Sequence, residues 1–184
     1  MKKLIFVLSA PSGTGKTTIQ KILKEELKDF DIITTITTRK PRPGEKNGID
    51  YIFVSEEEFK KMIKEDKFAE WSIVYGNYYG TPKEKIEKNI KNGKKTLLVI
   101  DTQGGLKIKK KYPSAFLVGI LPPSLKEQEE RLRKRNDMNQ EEIKKRLAIS
   151  KEERKILLKY YNVRFINKDL RKTVERIKKL LQKT

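Results

Sequence analysis

The residues Ser9-Ala10-Pro11-Ser12-Gly13-Thr14-Gly15-Lys16-Thr17-Thr18 follow directly on the apolar stretch Leu4 to Leu8. Glycines in such a run let backbone N–H groups turn in on phosphate oxygens. Lys16 can reach the β and γ oxygens, and the Thr17 hydroxyl suits Mg²⁺. A helix opening near Lys16 would add the positive end of its dipole. This is a Walker A arrangement with Ala10 in the place of the first glycine, so Ala10 to Thr18 are expected to hold the phosphates of a nucleotide. A second apolar run, Leu97-Leu98-Val99-Ile100-Asp101, ends in a carboxylate. At the end of a parallel strand beside a phosphate loop, Asp101 is placed to hold Mg²⁺ directly or through water.

A different chemistry is offered by Thr37-Thr38-Arg39-Lys40-Pro41-Arg42-Pro43-Gly44-Glu45-Lys46-Asn47-Gly48-Ile49-Asp50-Tyr51. Arg39 and Arg42 can each present a planar fork to phosphate oxygens, and the prolines lower the entropy of holding them in place. Further on, Glu70-Trp71 and Tyr75-Gly76-Asn77-Tyr78-Tyr79-Gly80-Thr81 supply a carboxylate, phenols and a hydroxyl. A carboxylate can accept two N–H bonds from the N1 and N2 edge of guanine, which adenine does not offer, so Glu70 is a candidate base reader. The tyrosines could equally be the packed core of a hairpin.

The chain of 184 residues has no Cys and no His. That excludes cysteine nucleophiles, Ser-His-Asp triads, His or Cys zinc sites and a disulfide framework. Chemistry here must run on Lys, Arg, Asp, Glu, hydroxyls, backbone amides and hard cations. With 44 Lys+Arg against 25 Asp+Glu, the net charge is +19, which raises the question of nucleic acid. The basic residues of the last third are, however, interleaved with Glu at helical spacings, as in Lys126 and Glu130 or Glu141 and Lys145. Such faces read as solvated helix, and a polyanionic nucleotide fits the charge better than nucleic acid does. Met1-Lys2-Lys3 and the following apolar run resemble a secretory signal. The run is at the short limit for one, and cleavage at Ala10 would cut into the phosphate loop. No stretch approaches the length of a membrane span, so a cytoplasmic protein is expected.

These residues need an α/β scaffold. Strands are expected at Leu4 to Leu8, Ile32 to Ile36, Tyr51 to Val54, Phe68 to Tyr75, Thr96 to Ile100, Phe116 to Leu121 and Val163 to Ile166. Capping boxes at Ser55 with Glu58, Thr81 with Glu84 and Ser124 with Glu127 should open helices, the second with Pro82 at its first position. A mostly parallel sheet flanked by helices follows. Residues 31–94, with hairpin-like strands of their own, form one expected insert. Residues 124–161, almost wholly helical, form another, leaving 1–30, 95–123 and 162–184 as the core.

Taken together, Ala10 to Thr17, Thr37 to Glu45, Gly76 to Thr81 and Ile100-Asp101-Thr102-Gln103-Gly104 resemble the guanylate kinase family over nearly the whole chain. The resemblance implies a P-loop NTPase-type core with a GMP-binding insert and a helical lid, and transfer of the γ-phosphoryl group of ATP to GMP with Mg²⁺. Carried across by residue, it implies that Arg39, Arg42, Tyr51 and Tyr79 hold the GMP phosphate. It also implies that Thr35, Glu70, Thr81 and Asp101 meet guanine, with Glu45 and Gly80 in the same GMP motifs. In Arg131-Leu132-Arg133-Lys134-Arg135 and Lys145-Arg146-Leu147, Arg135 and Arg146 would clamp the transferring group and Arg131 would lie against adenine. Asn167 would contact adenine too. Lys16, Arg39, Arg42, Arg135 and Arg146 are thus the expected catalytic set. Val99, Asn136 and Lys168 depart from the usual Asp, Gly and Asp of the family. Two rival readings are another nucleoside monophosphate kinase, which the two-arginine loop, Thr35 and Glu70 disfavour, and a non-catalytic module of the same fold, which the retained Lys16, Thr17 and lid arginines disfavour.

Overall fold

Strands that are apolar at every position, with no polar alternation, are buried on both faces, and that is the signature of a covered parallel sheet. The computed structural model, which describes residues 4–134 and 138–184, has such a sheet at its centre. It runs in the order β2 (Phe30–Ile33), β7 (Lys95–Val99), β1 (Ile5–Ser9), β8 (Phe116–Leu121), β9 (Val163–Ile166), with every pair parallel. The period-two alternation of β1 divides its side chains between two cores. Phe6 and Leu8 pack with Ile19 and Leu23 of α1 (Lys16–Glu26) and with Val174, Ile177 and Leu181 of α7 (Leu170–Lys183). Ile5 and Val7 face Ile108 of α4 (Thr102–Lys111) and Leu157 of α6 (Gln140–Tyr160).

The register sets Leu8 opposite Val99. The carboxyl end of β1 therefore delivers Ser9 and the glycine loop beside Ile100 and Asp101, in the crevice where ligands of open parallel sheets bind. Ser9 Oγ donates to Asp101 O at 3.1 Å, and the buried Tyr161 hydroxyl donates to Ser9 Oγ at 2.8 Å.

A second sheet, in the order β4 (Ile52–Phe53), β3 (Ile36–Thr37), β6 (Asn77–Pro82), β5 (Phe68–Val74), is mixed: β3 and β4 are parallel, the other pairs antiparallel. With α2 (Glu56–Lys64) it encloses a small core of Ile36, Phe59 and Phe68, the two rings stacked at 4.4 Å. Gly80 belongs to this core. A Cβ there would stand 2.6 Å from the Phe68 ring and 2.9 Å from Phe59. α3 (Lys83–Lys91) leads back to β7, and α5 (Leu125–Lys134) precedes α6. No helix among the described residues is long and apolar enough to cross a membrane.

Two expectations are corrected. The strand expected over Ile32 to Ile36 is divided, because the chain leaves the first sheet after Ile33 and joins the second at Ile36. Thr34 and Thr35 make the crossing, and the second sheet starts later than residue 31. The Thr81 and Glu84 capping box does not form. β6 runs on to Pro82, which caps α3 without a side-chain bond, and the Thr81 hydroxyl donates instead to Glu70 at 2.6 Å. The Ser55 and Glu58 box is present in full, and Ser124 accepts from the Glu127 amide.

Gly80→Ala tests the packing of the small sheet. The added methyl has backbone on one side and two stacked rings on the other, so a loss of about 1–3 kcal/mol in urea unfolding is expected.

Candidate active site

A cleft of about 670 Å³ opens along the carboxyl ends of β1 and β7 and continues between the second sheet and α5 and α6. The glycine loop forms one end. Gly13 and Gly15 have φ of +78° and +98°, a region L side chains rarely adopt. Both also meet close neighbours: a Cβ on Gly13 would lie 2.9 Å from Leu132, and one on Gly15 would lie 2.8 Å from the Asn167 amide. Pro11 and Thr14 are buried behind the loop, while Ala10, Ser12, Gly13, Gly15, Lys16, Thr17 and Thr18 line the cleft. Lys16 opens α1, and its ammonium reaches only Ile100 O, at 3.4 Å.

Asp101 has both carboxylate oxygens engaged. Oδ1 accepts from the Gln103 and Gly104 amides at 2.9 and 3.0 Å, capping α4. Oδ2 accepts from Ser72 Oγ of β5 at 2.5 Å, which ties the second sheet to the first. The oxygens of this part of the cleft that could meet a hard cation are the Thr17 hydroxyl in the first turn of α1, the Asp101 carboxylate through water, and the buried Glu153 Oε2 of α6, which has no hydrogen-bond partner among the described residues. All are oxygens, as Mg²⁺ requires, and Mg²⁺ keeps waters and phosphate oxygens in most of its coordination sphere. Among the described residues no group of three or more Asp or Glu could hold a metal alone.

Glu70, on β5, forms the opposite end. Its Oε1 accepts from Thr81, while its buried Oε2 has no hydrogen-bond partner among the described residues. Burial is the main cause that pushes its carboxyl up to about 7; the Thr81 bond opposes the rise and the Asp101 charge adds to it. Gly104 of α4 gives this oxygen its room, since a Cβ there would stand 2.7 Å from it. Thr35, at the crossing between the sheets, lines the same end.

The two-arginine loop is braced from within. Arg39 Nη2 donates to both oxygens of Glu45 at 2.9 and 2.8 Å, its Nη1 donates to Lys40 O, and the Arg42 amide donates to Glu45 Oε2 at 2.8 Å. The Arg39 guanidinium lies 5.3 Å over the Tyr51 ring. Its charge opposes the burial that lifts the Tyr51 phenol above the ordinary range. Arg42, Glu45, Tyr51 and Tyr79 line the cleft. Arg39 stands behind them as the partner of Glu45. Gly80 does not line it; its place is the core described above.

From the helical side come Arg131, Arg146 and Glu153. Arg146 donates to Ser12 Oγ at 3.2 Å and lies 4.2 Å over the Tyr75 ring. Tyr75 sits at φ +51° in the turn between β5 and β6. Burial lifts its phenol to about 12. Arg131 donates to Asn167 O at 3.0 Å. Arg135 and Asn136 lie outside the described residues. Burial pushes Glu153 up to about 7, opposed by Lys16 and reinforced by Asp101.

Sequence reasoning missed Ser72, Glu153 and Gln128, and did not single out Tyr75 among the tyrosines. Glu153 and Gln128 sit in helices rich in Glu, Lys and Arg. Their only readable signal was spacing: Gln128 falls four residues before the buried Leu132, and Arg146, Ser150, Glu153 and Leu157 recur on one helical face.

The family model for guanylate kinase matches residues 2–184. The chain is 48% identical over 178 residues to the guanylate kinase of Caldanaerobacter subterraneus subsp. tengcongensis, covering 97% of this chain and 86% of that protein. It is 43% identical to that of Fusobacterium nucleatum over 166 residues, 90% of this chain and 89% of the other. A crystal structure of guanylate kinase from Anaplasma phagocytophilum superposes with a TM-score of 0.82 at 32% identity, covering 98% of this chain and 85% of that one.

The raised carboxyls of Glu70 and Glu153 carry a pH signature. A folded pKa above the ordinary value of 4.5 adds stability that is complete below 4.5 and is lost as pH rises through about 7. Glu70→Gln keeps the acceptor for Thr81 and removes one such loss. Its melting temperature should match the wild type at pH 4.5 and exceed it by about 2 °C or more at pH 8; an equal offset at both pH values would assign the effect to packing.

Proposed function

The chain belongs to the guanylate kinase family of ATP:GMP phosphotransferases, and from that premise we propose that its cleft transfers the γ-phosphoryl group of ATP to GMP, with Mg²⁺, giving ADP and GDP. The observation that carries this reading is the pairing, in one cleft, of the Lys16 loop at one end with the unpartnered Glu70 oxygen at the other. The loop suits donor phosphates. Glu70 Oε2, ionised, suits the N1 and N2 hydrogens of guanine, and Thr81 holds the carboxylate in place.

The acceptor phosphate has a second pKa of about 6. At neutral pH it is largely a dianion, already nucleophilic, and needs no general base; a chain without His loses nothing by that. One of its oxygens forms the bond to the γ-phosphorus in line with the departing β,γ-bridging oxygen, which leaves on ADP. The obstacle is repulsion between anions, and the residues answer it by position. Lys16 and the loop amides would hold the donor. Arg42, with Tyr51 and Tyr79, would hold the acceptor phosphate, while Arg39 and Glu45 keep that loop in shape. Arg146, and by family resemblance Arg135, would meet the transferring group. Mg²⁺, held by Thr17 and through water by Asp101, would neutralise donor oxygens when bound.

In this reading the second sheet with α2 is the GMP-binding part, residues 124–161 are the lid, and Arg131 and Asn167 face the adenine. Asn167 Oδ1, buried and without a partner, is an acceptor of the kind an adenine amino group needs. The basic surface serves nucleotides and the protein acts in the cytoplasm.

Coupled ADP release with ATP and Mg²⁺ tests the proposal, with GMP, AMP, CMP, UMP and dTMP as acceptors in parallel. Turnover is expected with GMP alone and should vanish in Lys16→Ala. Activity with a different monophosphate would overturn the base reading. Arg42→Ala should raise KM for GMP about tenfold or more with KM for ATP near normal, because one charge-assisted phosphate contact is worth roughly 1.5–3 kcal/mol; unchanged GMP kinetics would remove Arg42 from the acceptor site.

A further inference from the structure

A glycine loop binds phosphate only if its N–H groups face the ligand, and in a trans peptide the carbonyl of one residue points opposite to the N–H of the next. Holding alternate carbonyls on the outside of the loop therefore turns the intervening N–H groups inward. Two buried carboxamides stand where they can do this. Asn167 Nδ2 donates to Thr14 O at 2.7 Å, and Gln128 Nε2 donates to Ser12 O at 2.6 Å. The peptides they fix carry the N–H groups of Gly13 and Gly15, the two loop glycines that line the cleft. A carbonyl only accepts, so the amide nitrogen of Gln128 must be the atom facing Ser12.

Gln128 is the unexpected member of the pair. It is 0% exposed in a helix whose other residues, Leu125 and Leu132 apart, are Lys, Glu and Arg. Its amide and the buried Ser150 hydroxyl exchange hydrogen bonds at 2.7 and 3.1 Å, so every polar atom of the cluster is satisfied. Ser150 itself interrupts an apolar stripe, lying seven residues from both Ile143 and Leu157. One turn beyond Gln128, Leu132 presses on Gly13. A stripe of leucine and alanine at 128 and 150 would fill such a space without any polar demand. The polar pair instead delivers a donor to one loop carbonyl.

We infer that Gln128 is a positioning residue for the donor phosphates: carried on α5 and held by Ser150, it fixes the Ser12–Gly13 peptide so that the Gly13 N–H faces the nucleotide. The inference rests on reading the loop as the donor-phosphate site. It makes α5 part of the phosphate cradle, so that a shift of this helix alters donor affinity without any contact to the nucleotide.

The test removes the donor to Ser12 O together with the Ser150 hydroxyl, because a buried hydroxyl left alone would itself destabilise the fold. In Gln128→Leu with Ser150→Ala, MgADP affinity measured by calorimetry should fall about five- to tenfold, the worth of one hydrogen bond of about 1 kcal/mol. GMP affinity should stay within about twofold and the melting temperature within about 3 °C. Gln128→Asn, which shortens the reach by one methylene and keeps the chemistry, should show the same split and serves if the double variant does not fold. Unchanged MgADP affinity, or ADP and GMP affinity falling together with the melting temperature, would overturn the inference. Lys16→Ala in the same titration separates the two readings. A loss there with none in the Gln128 variants overturns the role of Gln128 alone; no loss in either removes the donor-site reading and this inference with it.

Discussion

The carboxylate of Asp101 is the joint on which the cleft depends. One oxygen closes the amino end of α4, the other takes Ser72 from β5, and its own carbonyl receives Ser9 from the end of β1. Three pieces of chain far apart in sequence therefore meet at one residue. An unpaired carboxylate here would be expensive, and three donors to its oxygens offset that cost while tying the second sheet to the first. Its charge is felt further away. It adds to the burial that keeps Glu70 and Glu153 partly protonated, so the acidic groups of the cleft are tuned as a set.

Around this joint the cations are held ready by contacts that a ligand can replace. Among the described residues Lys16 makes one long bond, to Ile100 O, Arg146 rests on the Tyr75 ring and one hydroxyl, and Arg131 donates to one carbonyl at 3.0 Å and lies 3.6 Å from the exposed Glu127 carboxylate. Arg39 differs: Glu45 neutralises it, and the ring of Tyr51 backs it. Arg39 is thus tied within the loop, and Arg42, whose backbone amide donates to the same Glu45, lines the cleft.

Much of this was legible in the chain because local rules coincided with the tertiary result. The runs at Phe116 to Leu121 and Val163 to Ile166 are strands at those residues, and the Ser55 box opens α2 as its spacing implies. The failures share one cause. At Thr81 a good local cap was overruled by a buried carboxylate eleven residues away that needed the same hydroxyl. At Thr34 and Thr35 a continuous β-branched run gave no hint that the chain changes sheets, since β propensity cannot tell one sheet from another. Glu45 and Gly80 were expected from their motifs at the acceptor site; in the fold Glu45 braces a loop and Gly80 makes room for two phenyl rings. Spacing shows where a residue is, and only packing shows which neighbour claims it.

The distribution of charge makes a last point. A chain of net charge +19 keeps carboxylates at both ends of its cleft, Glu70 at one and Glu153 beside Lys16 at the other, each with a buried oxygen that has no partner among the described residues. Unsatisfied buried oxygens are a stability cost that a core would ordinarily eliminate. Burial raises both to about 7, which lowers that cost by letting a proton stand in for the missing partner at neutral pH. A ligand that brings N–H donors to one and a hydrated cation to the other exchanges those protons for better partners. On the proposed reading the desolvation of Glu70 would also favour guanine, because a base lacking the N–H donors would have to leave the proton in place.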